Sequence, residues 1–224
     1  MSVTTQLKGG LVSVVVACHR SLQRTMRCVE ALLRHTRRPW ELVTIAEGDC
    51  AAYLAGIRDA VPIHVEVVSR NGDMTGFRHG PGLKVACGDY IALLDDGTIV
   101  FEDWLDQLVG LADSGAKTGM VGPMLNDAAS PQWAEMADAL DLQTLGRFAE
   151  DWRDRHRRQW LTTSRLADGC VLLRRPLFEE VNGPSIRSMA DLGQRSVLGG
   201  SSWLWPETCS SITRSPRPKS SLLV

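Results

Sequence analysis

The chain has 224 residues, 44% of them apolar and 23% charged, a balance that suits one sizeable buried core and excludes a disordered or fibrous chain. Lys plus Arg number 25 against 26 for Asp plus Glu, so bulk charge gives no reason to expect a nucleic-acid partner.

In chain order, Leu11 to Ala17 is a β-branched run of strand length. Ser21 stands at a helix-cap position, and Leu22, Met26, Val29, Leu32 and Leu33 then recur on one stripe. Glu41 to Ile45 reads as a second strand ending at Gly48-Asp49, Ala51 to Ala60 as a short helix, and His64 to Val68 as a third strand. Asn71-Gly72-Asp73 is a turn signal, followed by a loop rich in glycine (Gly76, Gly80, Gly82) and a short helix to Cys87. Tyr90 to Leu94 is the next strand, Trp104 to Leu111 a helix, and Gly119 to Pro123 a fifth strand. Leu145 to Trp160 reads as a helix with Phe148, Trp152 and His156 inward, and the basic run Arg153 to Arg158 as its solvated face. Gly169 to Leu173 is a strand and Leu177 to Val181 a short helix. Strand–helix alternation of this kind predicts an α/β fold, a mostly parallel sheet flanked by helices, with Tyr90–Leu94 central. The expected domain covers residues 11–212, with an extension over 1–10 and a serine-rich disordered tail over 213–224.

The six cysteines are scattered without a Cys-x-x-Cys pair, so neither a zinc site nor a disulfide framework is expected. Met1 to Gly10 lacks the charged head and apolar core of a secretory signal, and no apolar run approaches membrane-spanning length. The expected home is the cytoplasm.

The most informative segment is Gly88-Asp89-Tyr90-Ile91-Ala92-Leu93-Leu94-Asp95-Asp96-Gly97-Thr98. A continuous apolar run is how a strand buried on both faces reads, and ligands of open α/β sheets gather at the carboxyl ends of such strands. Two carboxylates there can hold a hard divalent cation beside a phosphate. Adjacent residues of an extended strand point to opposite faces, so both meet one ion only if the chain turns, which Gly97 permits. The bland alternative is a strand-end turn with two solvated aspartates.

This segment resembles the donor-binding signature of family 2 glycosyltransferases of the GT-A fold, in which the usual Asp-x-Asp has Asp where Gly97 stands. Ala17-Cys18-His19-Arg20 takes the place of that family's Pro-x-Tyr-Asn-Arg, and Ala46-Glu47-Gly48-Asp49 that of its Asp-Asn-Gly-Ser. Gly76-Phe77 resembles the opening of its next nucleotide loop, although Arg78-His79-Gly80-Pro81-Gly82 lacks the expected Asn. Asp191-Leu192-Gly193-Gln194-Arg195 with Gly200 keeps the spacing of the acceptor-side motif. In strict register the base position falls on Met189, and a small slip brings Asp191 to it. Pro206-Glu207 resembles the last turn, with Ile212 near the place of an expected His.

The resemblance implies transfer of a sugar from a UDP- or dTDP-sugar to an acceptor it does not identify, by an inverting mechanism and with Mg2+ or Mn2+ bound weakly or only with nucleotide. It places His19, Arg20, Glu47, Asp49, Arg78 and Asp95 around the nucleotide, Asp95 and Asp96 on the metal, and Asp191 as base. Arg20 and Arg78 suit phosphate because guanidinium pairs with it in a bidentate fork. His19 and His79 are either phosphate contacts or surface residues, and Asp191 is either a base or a helix-cap carboxylate. Two alternatives remain open: a nucleotide-sugar-binding relative impaired in catalysis, and a truncated piece of a longer enzyme.

Overall fold

A computed structural model describes residues 10–19, 21–69, 77–115, 118–126, 132, 134, 141–156, 159–163, 166–181, 186–198 and 202–206. Arg20, the turn at Asn71, Gly76, Arg157, Arg158, Gly183, Gly200, Ile212, residues 1–9 and the tail lie outside them. The elements run β1 (Val12–Ala17), α1 (Leu22–His35), β2 (Trp40–Ile45), α2 (Gly48–Ile57), β3 (Val65–Val68), α3 (Gly80–Leu83) and β4 (Tyr90–Asp95). They continue as α4 (Trp104–Ala112), β5 (Thr118–Val121), α5 (Leu142–Arg155), β6 (Trp160–Thr163), β7 (Cys170–Arg174), α6 (Arg175–Glu180), α7 (Met189–Leu198) and β8 (Ser202–Pro206).

The strands form one eight-stranded sheet in the order β3-β2-β1-β4-β7-β5-β8-β6, which puts β4 in its interior as expected. The pairs β3–β2, β2–β1, β1–β4 and β5–β8 are parallel, whereas β4–β7, β7–β5 and β8–β6 are antiparallel. Alternation along the strands supplies a core on each face. Val12, Val14 and Val16 of β1 and Ala92 and Leu94 of β4 join one buried cluster with α1, α4 and α5. Val15, Ile91 and Leu93 join the other with α3, α6 and α7. Both faces are therefore covered, the reason these strands carry unbroken apolar runs.

One difference from the sequence reading has a plain cause. The helix expected to reach Trp160 stops at Arg155, and Trp160 opens β6, an edge strand, with half its surface exposed. The Phe148-Trp152-His156 stripe is real, with Trp152 and His156 stacked at 4.3 Å between centroids, but the period ends when His156 caps the helix. Beyond Gly183, α7 and β8 fall within the expected domain of residues 11–212. Among the described residues no helix is long and apolar enough to cross a membrane.

At the amino ends of β1, β2 and β4 lies a buried carboxylate. Glu41 is 4% exposed and accepts from Ser13 Oγ at 2.5 Å, the Cys87 amide at 2.8 Å and the Cys87 thiol at 3.2 Å. Ser13 in turn accepts from the Gly88 amide at 2.7 Å. A Cβ on Gly88 would lie 2.5 Å from the Ser13 nitrogen, so only glycine allows this approach. Arg175 closes the corner by donating to Gly88 O and Ala86 O at 2.5 and 2.8 Å.

Burial pushes the Glu41 carboxyl up, but the Cys87 amide, the Ser13 hydroxyl and the Cys87 thiol outweigh it, and the net shift is below the ordinary 4.5. A carboxyl whose pKa is lower folded than unfolded stabilises the fold fully above the unfolded value and loses that contribution as pH falls through the folded one. Glu41→Gln should cost about 1–3 kcal/mol at neutral pH. In denaturant melts across pH, the difference between Glu41→Gln and wild type should shrink only below about pH 4. A pH-independent difference would show that the charge of Glu41 is not what the network stabilises.

Candidate functional site

The candidate site is at the opposite, carboxyl ends of β1 and β4. Their parallel register sets Ala17 directly beside Asp95, so the two loops that follow emerge together. Asp95 is 6% exposed and Asp96 fully buried. The chain turns immediately, with Thr98 N–H donating to Asp95 O at 3.0 Å, and Thr98 Oγ1 fastens the turn to Gly169 O at 2.9 Å. Gly97 does not need its conformational freedom here, because the left-handed positions among the described residues are Gly48 and Asp103.

The two carboxylates diverge despite the turn. Asp96 Oδ2 accepts from the His19 amide at 2.9 Å, beneath the loop that follows β1. Asp95 Oδ1 faces Arg78 Nη1 at 3.6 Å, toward the segment that enters α3. Arg78 Nη1 also lies 2.9 Å from His19 Nε2, while His19 Nδ1 lies 3.0 Å from Ala17 O. A guanidinium only donates and a carbonyl only accepts, so His19 carries its proton on Nδ1 and offers its Nε2 lone pair to Arg78. Four of the expected residues, His19, Arg78, Asp95 and Asp96, thus form one connected cluster.

Others stand apart from it. Glu47 and Asp49 lie exposed at the end of β2, one strand beyond β1, where Glu47 leads into α2 through Gly48 at φ 55°. Arg20 is outside the described residues. The Gly-rich segment serves packing: a Cβ on Gly82 would come within 2.7 Å of Ile45 and 2.8 Å of Val15, so glycine lets α3 lie on β1 and β2.

His79 is not the surface residue that a loop histidine suggests. It is 2% exposed, with Nε2 at 2.9 Å from Leu94 O and its ring 5.4 Å from that of Phe77. Burial lowers its pKa, more than Leu94 O and the neighbouring carboxylates raise it. A neutral ring donating to the last carbonyl before Asp95 braces β4 from below.

Asp191 sits in a capping box on α7. Its amide donates to Ser188 Oγ at 3.0 Å, and its Oδ2 accepts from the Arg187 amide at 3.0 Å. Arg195 grips the same carboxylate in a bidentate pair at 2.8 and 3.1 Å. The Arg187 amide first, and then Arg195, hold this carboxyl below the ordinary range.

Asp168 is the carboxylate that sequence reasoning missed. It precedes β7, which pairs antiparallel with β4, Leu94 opposite Cys170. The start of β7 therefore falls where β4 ends, Gly169 O accepts from Thr98, and exposed Asp168 stands close enough for its charge to act on His79. The available signal was Asp-Gly before an apolar run.

Two hard-oxygen carboxylates at a strand end suit Mg2+ or Mn2+ chemically. Among the described residues, however, no group of three or more metal-ligating side chains forms, Asp96 is buried against His19 and Asp95 faces Arg78. The donor set fits a shared site, in which the chain gives carboxylate oxygen and phosphate and water give the rest. A separate cavity of about 850 Å³ lies between α1 and α5, lined in part by Arg27, Phe101 and Leu142, and includes none of the expected site residues.

The sequence matches the Glycosyl transferase family 2 model over residues 13–181. It is 27% identical over 113 residues, 48% of this chain and 36% of the relative, to a glucosyl-dolichyl phosphate glucuronosyltransferase of Haloferax volcanii. The fold is similar to that of the mannosyltransferase PcManGT from Pyrobaculum calidifontis in complex with GDP-Man and Mn2+, at TM-score 0.69 and 14% identity, covering 96% of this chain and 59% of that one. It is also similar to TarS of S. aureus, at TM-score 0.58 and 14% identity, covering 89% and 58%. The chain spans little more than a third of that curated relative and under three-fifths of either solved structure.

Asp191→Asn removes one side of the capping box and its charge pair, so Tm should fall by about 2–4 °C, the equivalent of ~1 kcal/mol in a chain of this size. An unchanged Tm in thermal denaturation would mean that the cap contributes nothing to α7.

Proposed function

The chain belongs to glycosyltransferase family 2, and from that membership we propose that it transfers a sugar from a nucleoside-diphosphate donor, UDP- or dTDP-linked, to an acceptor hydroxyl with inversion at the anomeric carbon. The observation that carries this reading is the convergence of His19, Arg78, Asp95 and Asp96 where β1 and β4 end together. Arg78 is the diphosphate partner, since a guanidinium pairs with phosphate oxygens in a fork. Glu47 and Asp49 contact the nucleotide from the end of β2, and Arg20 is assigned to it from the family resemblance alone. Asp95 and Asp96 are the residues that would hold a nucleotide-dependent Mg2+ or Mn2+, whose chemistry would be to offset the charge of the leaving diphosphate. The relatives' sugar nucleotide and metal, GDP-Man and Mn2+ in the mannosyltransferase, support this class of donor without selecting its base.

In this reading Asp191 accepts the acceptor's proton while its oxygens also take hydrogen bonds from the Arg187 amide and Arg195, contacts that lower its basicity. That lowered basicity favours a second reading on a specific observation: both oxygens of Asp191 are engaged in a cap, and in strict register the base position falls on Met189. A chain that keeps its donor cluster and lacks a free base would bind nucleotide sugar without transferring it.

Calorimetric titration with UDP-, dTDP- and GDP-sugars, with and without Mn2+, tests the donor reading, and release of nucleoside diphosphate tests turnover. Asp95→Ala should weaken donor affinity about 10–100-fold, in line with losing a charged partner worth ~1.5–3 kcal/mol. Unchanged affinity would place the donor elsewhere. Gly97→Asp restores a third carboxylate at a position with no left-handed backbone to strain, and should raise metal affinity. Asp191→Asn should lower turnover by about 100-fold or more at unchanged donor affinity if Asp191 is the base. If wild type binds donor and releases no diphosphate, the binding-relative reading replaces the transferase.

A further inference from the structure

We propose that Arg78 is a displaceable stand-in for the divalent cation: it neutralises Asp95 while the site is empty, and donor diphosphate draws it away, so that metal enters only after nucleotide. This deepens the donor-site reading above and rests on it.

Three observations carry the inference. First, the Arg78 guanidinium is held over Asp95 by a neighbour on the other loop. Its Nη1 lies 2.9 Å from His19 Nε2, and His19 is itself fixed by Ala17 O at 3.0 Å and by its amide on Asp96 at 2.9 Å. The cation is therefore stationed where an ion on Asp95 would have to sit close to it, and like charges at that range repel. Second, the grip on Asp95 is loose. At 3.6 Å the contact is an ion pair beyond hydrogen-bond distance, and the Arg78 side chain is 34% exposed. A diphosphate offers the same guanidinium two or more charged oxygens at hydrogen-bond distance, a stronger partner than one carboxylate oxygen at long range. Third, the chain alone builds no complete metal site among its described residues, so an ion needs phosphate oxygens in any case. Exchange of Arg78 from Asp95 to phosphate then removes this positive charge from beside the Asp95 oxygen at the moment the donor brings its own oxygens.

The test is Mn2+ binding, followed by electron paramagnetic resonance and by calorimetry, on wild type, Arg78→Gln, Arg78→Met and Arg78→Lys. Each is measured with Mn2+ alone and with Mn2+ plus UDP, dTDP or GDP. Wild type should take up Mn2+ only when nucleotide is present. Arg78→Gln and Arg78→Met should bind Mn2+ alone about tenfold or more tighter than wild type, while binding nucleotide without metal about tenfold more weakly. Arg78→Lys, which keeps the charge, should behave as wild type toward Mn2+ alone. Two uncharged replacements are used so that a folding defect in one, seen by circular dichroism, leaves the other to decide.

Wild type binding Mn2+ alone as tightly as the uncharged variants would overturn the proposal. So would uncharged variants that gain no Mn2+ binding, or a lysine variant that gains as much as they do. If no nucleotide binds wild type with or without Mn2+, the donor reading fails, and that outcome is separable because the metal-alone arm contains no nucleotide.

Discussion

The parallel pairing of β1 with β4, in register from Val12 beside Tyr90 to Ala17 beside Asp95, is the constraint on which the site depends. A slip of one residue would send Val12, Val14 and Val16 to the face now filled by Val15, and the two buried clusters could not both survive it. Hydrophobic burial on both faces thus sets the register, and the register sets the chemistry. It brings the His19 amide to Asp96 and leaves Asp95 at the mouth, without any residue of the cluster having to hold the strands together.

The two ends of that strand pair carry charge in opposite ways, and magnitudes separate them. At the amino ends, buried Glu41 takes hydrogen bonds from Ser13 and Cys87 at 2.5 to 3.3 Å. Bonds to a buried charge are worth about 1.5–3 kcal/mol each, and breaking them leaves the charge stranded. At the carboxyl ends, the partly exposed Arg78–Asp95 pair at 3.6 Å is of a kind worth at most about 1 kcal/mol. One end is a clamp that cannot exchange partners cheaply; the other is a contact that a phosphate can outbid. Rigidity and exchange are thereby put at opposite ends of the same sheet.

Most of the fold was legible in the sequence because its parallel half is written in local signals. The runs Leu11–Ala17 and Tyr90–Leu94 could only be strands buried on both faces, and Ser21 does cap α1, accepting from the Arg24 amide. Asp95 and Asp96 were legible as a strand-end pair, and Arg78 and His19 as loop residues on the same side. What the sequence could not supply was pairing at a distance. Asp168 belongs to the site only because β7 runs antiparallel beside β4, a relation between residues some 70 positions apart that no local pattern encodes. His79 looked like a loop histidine because its burial comes from the sheet beneath it. Trp160 looked helical because its spacing continued the Phe148-Trp152-His156 stripe past the cap that ends it. Glu47 and Asp49 follow β2, which also pairs with β1, but they lie exposed at the start of α2, whereas Asp96 is buried under the His19 amide.

The strand-end cluster and the segment around Asp191 also differ in what holds them. The cluster is anchored to the parallel strands β3, β2, β1 and β4, whose register the core fixes. Asp191, the carboxylate expected to act as base, is engaged by the hydrogen bonds that begin α7. A substitution in α7 leaves the β1–β4 register and the His19–Arg78–Asp95 cluster untouched. The reverse does not hold, since a change that moves β4 displaces the turn at Asp95, the Thr98–Gly169 link and with them the start of β7. On the proposed reading, the proposed base can therefore change while the strand-end cluster stays in place, because the register that builds the cluster is fixed by the core and not by α7.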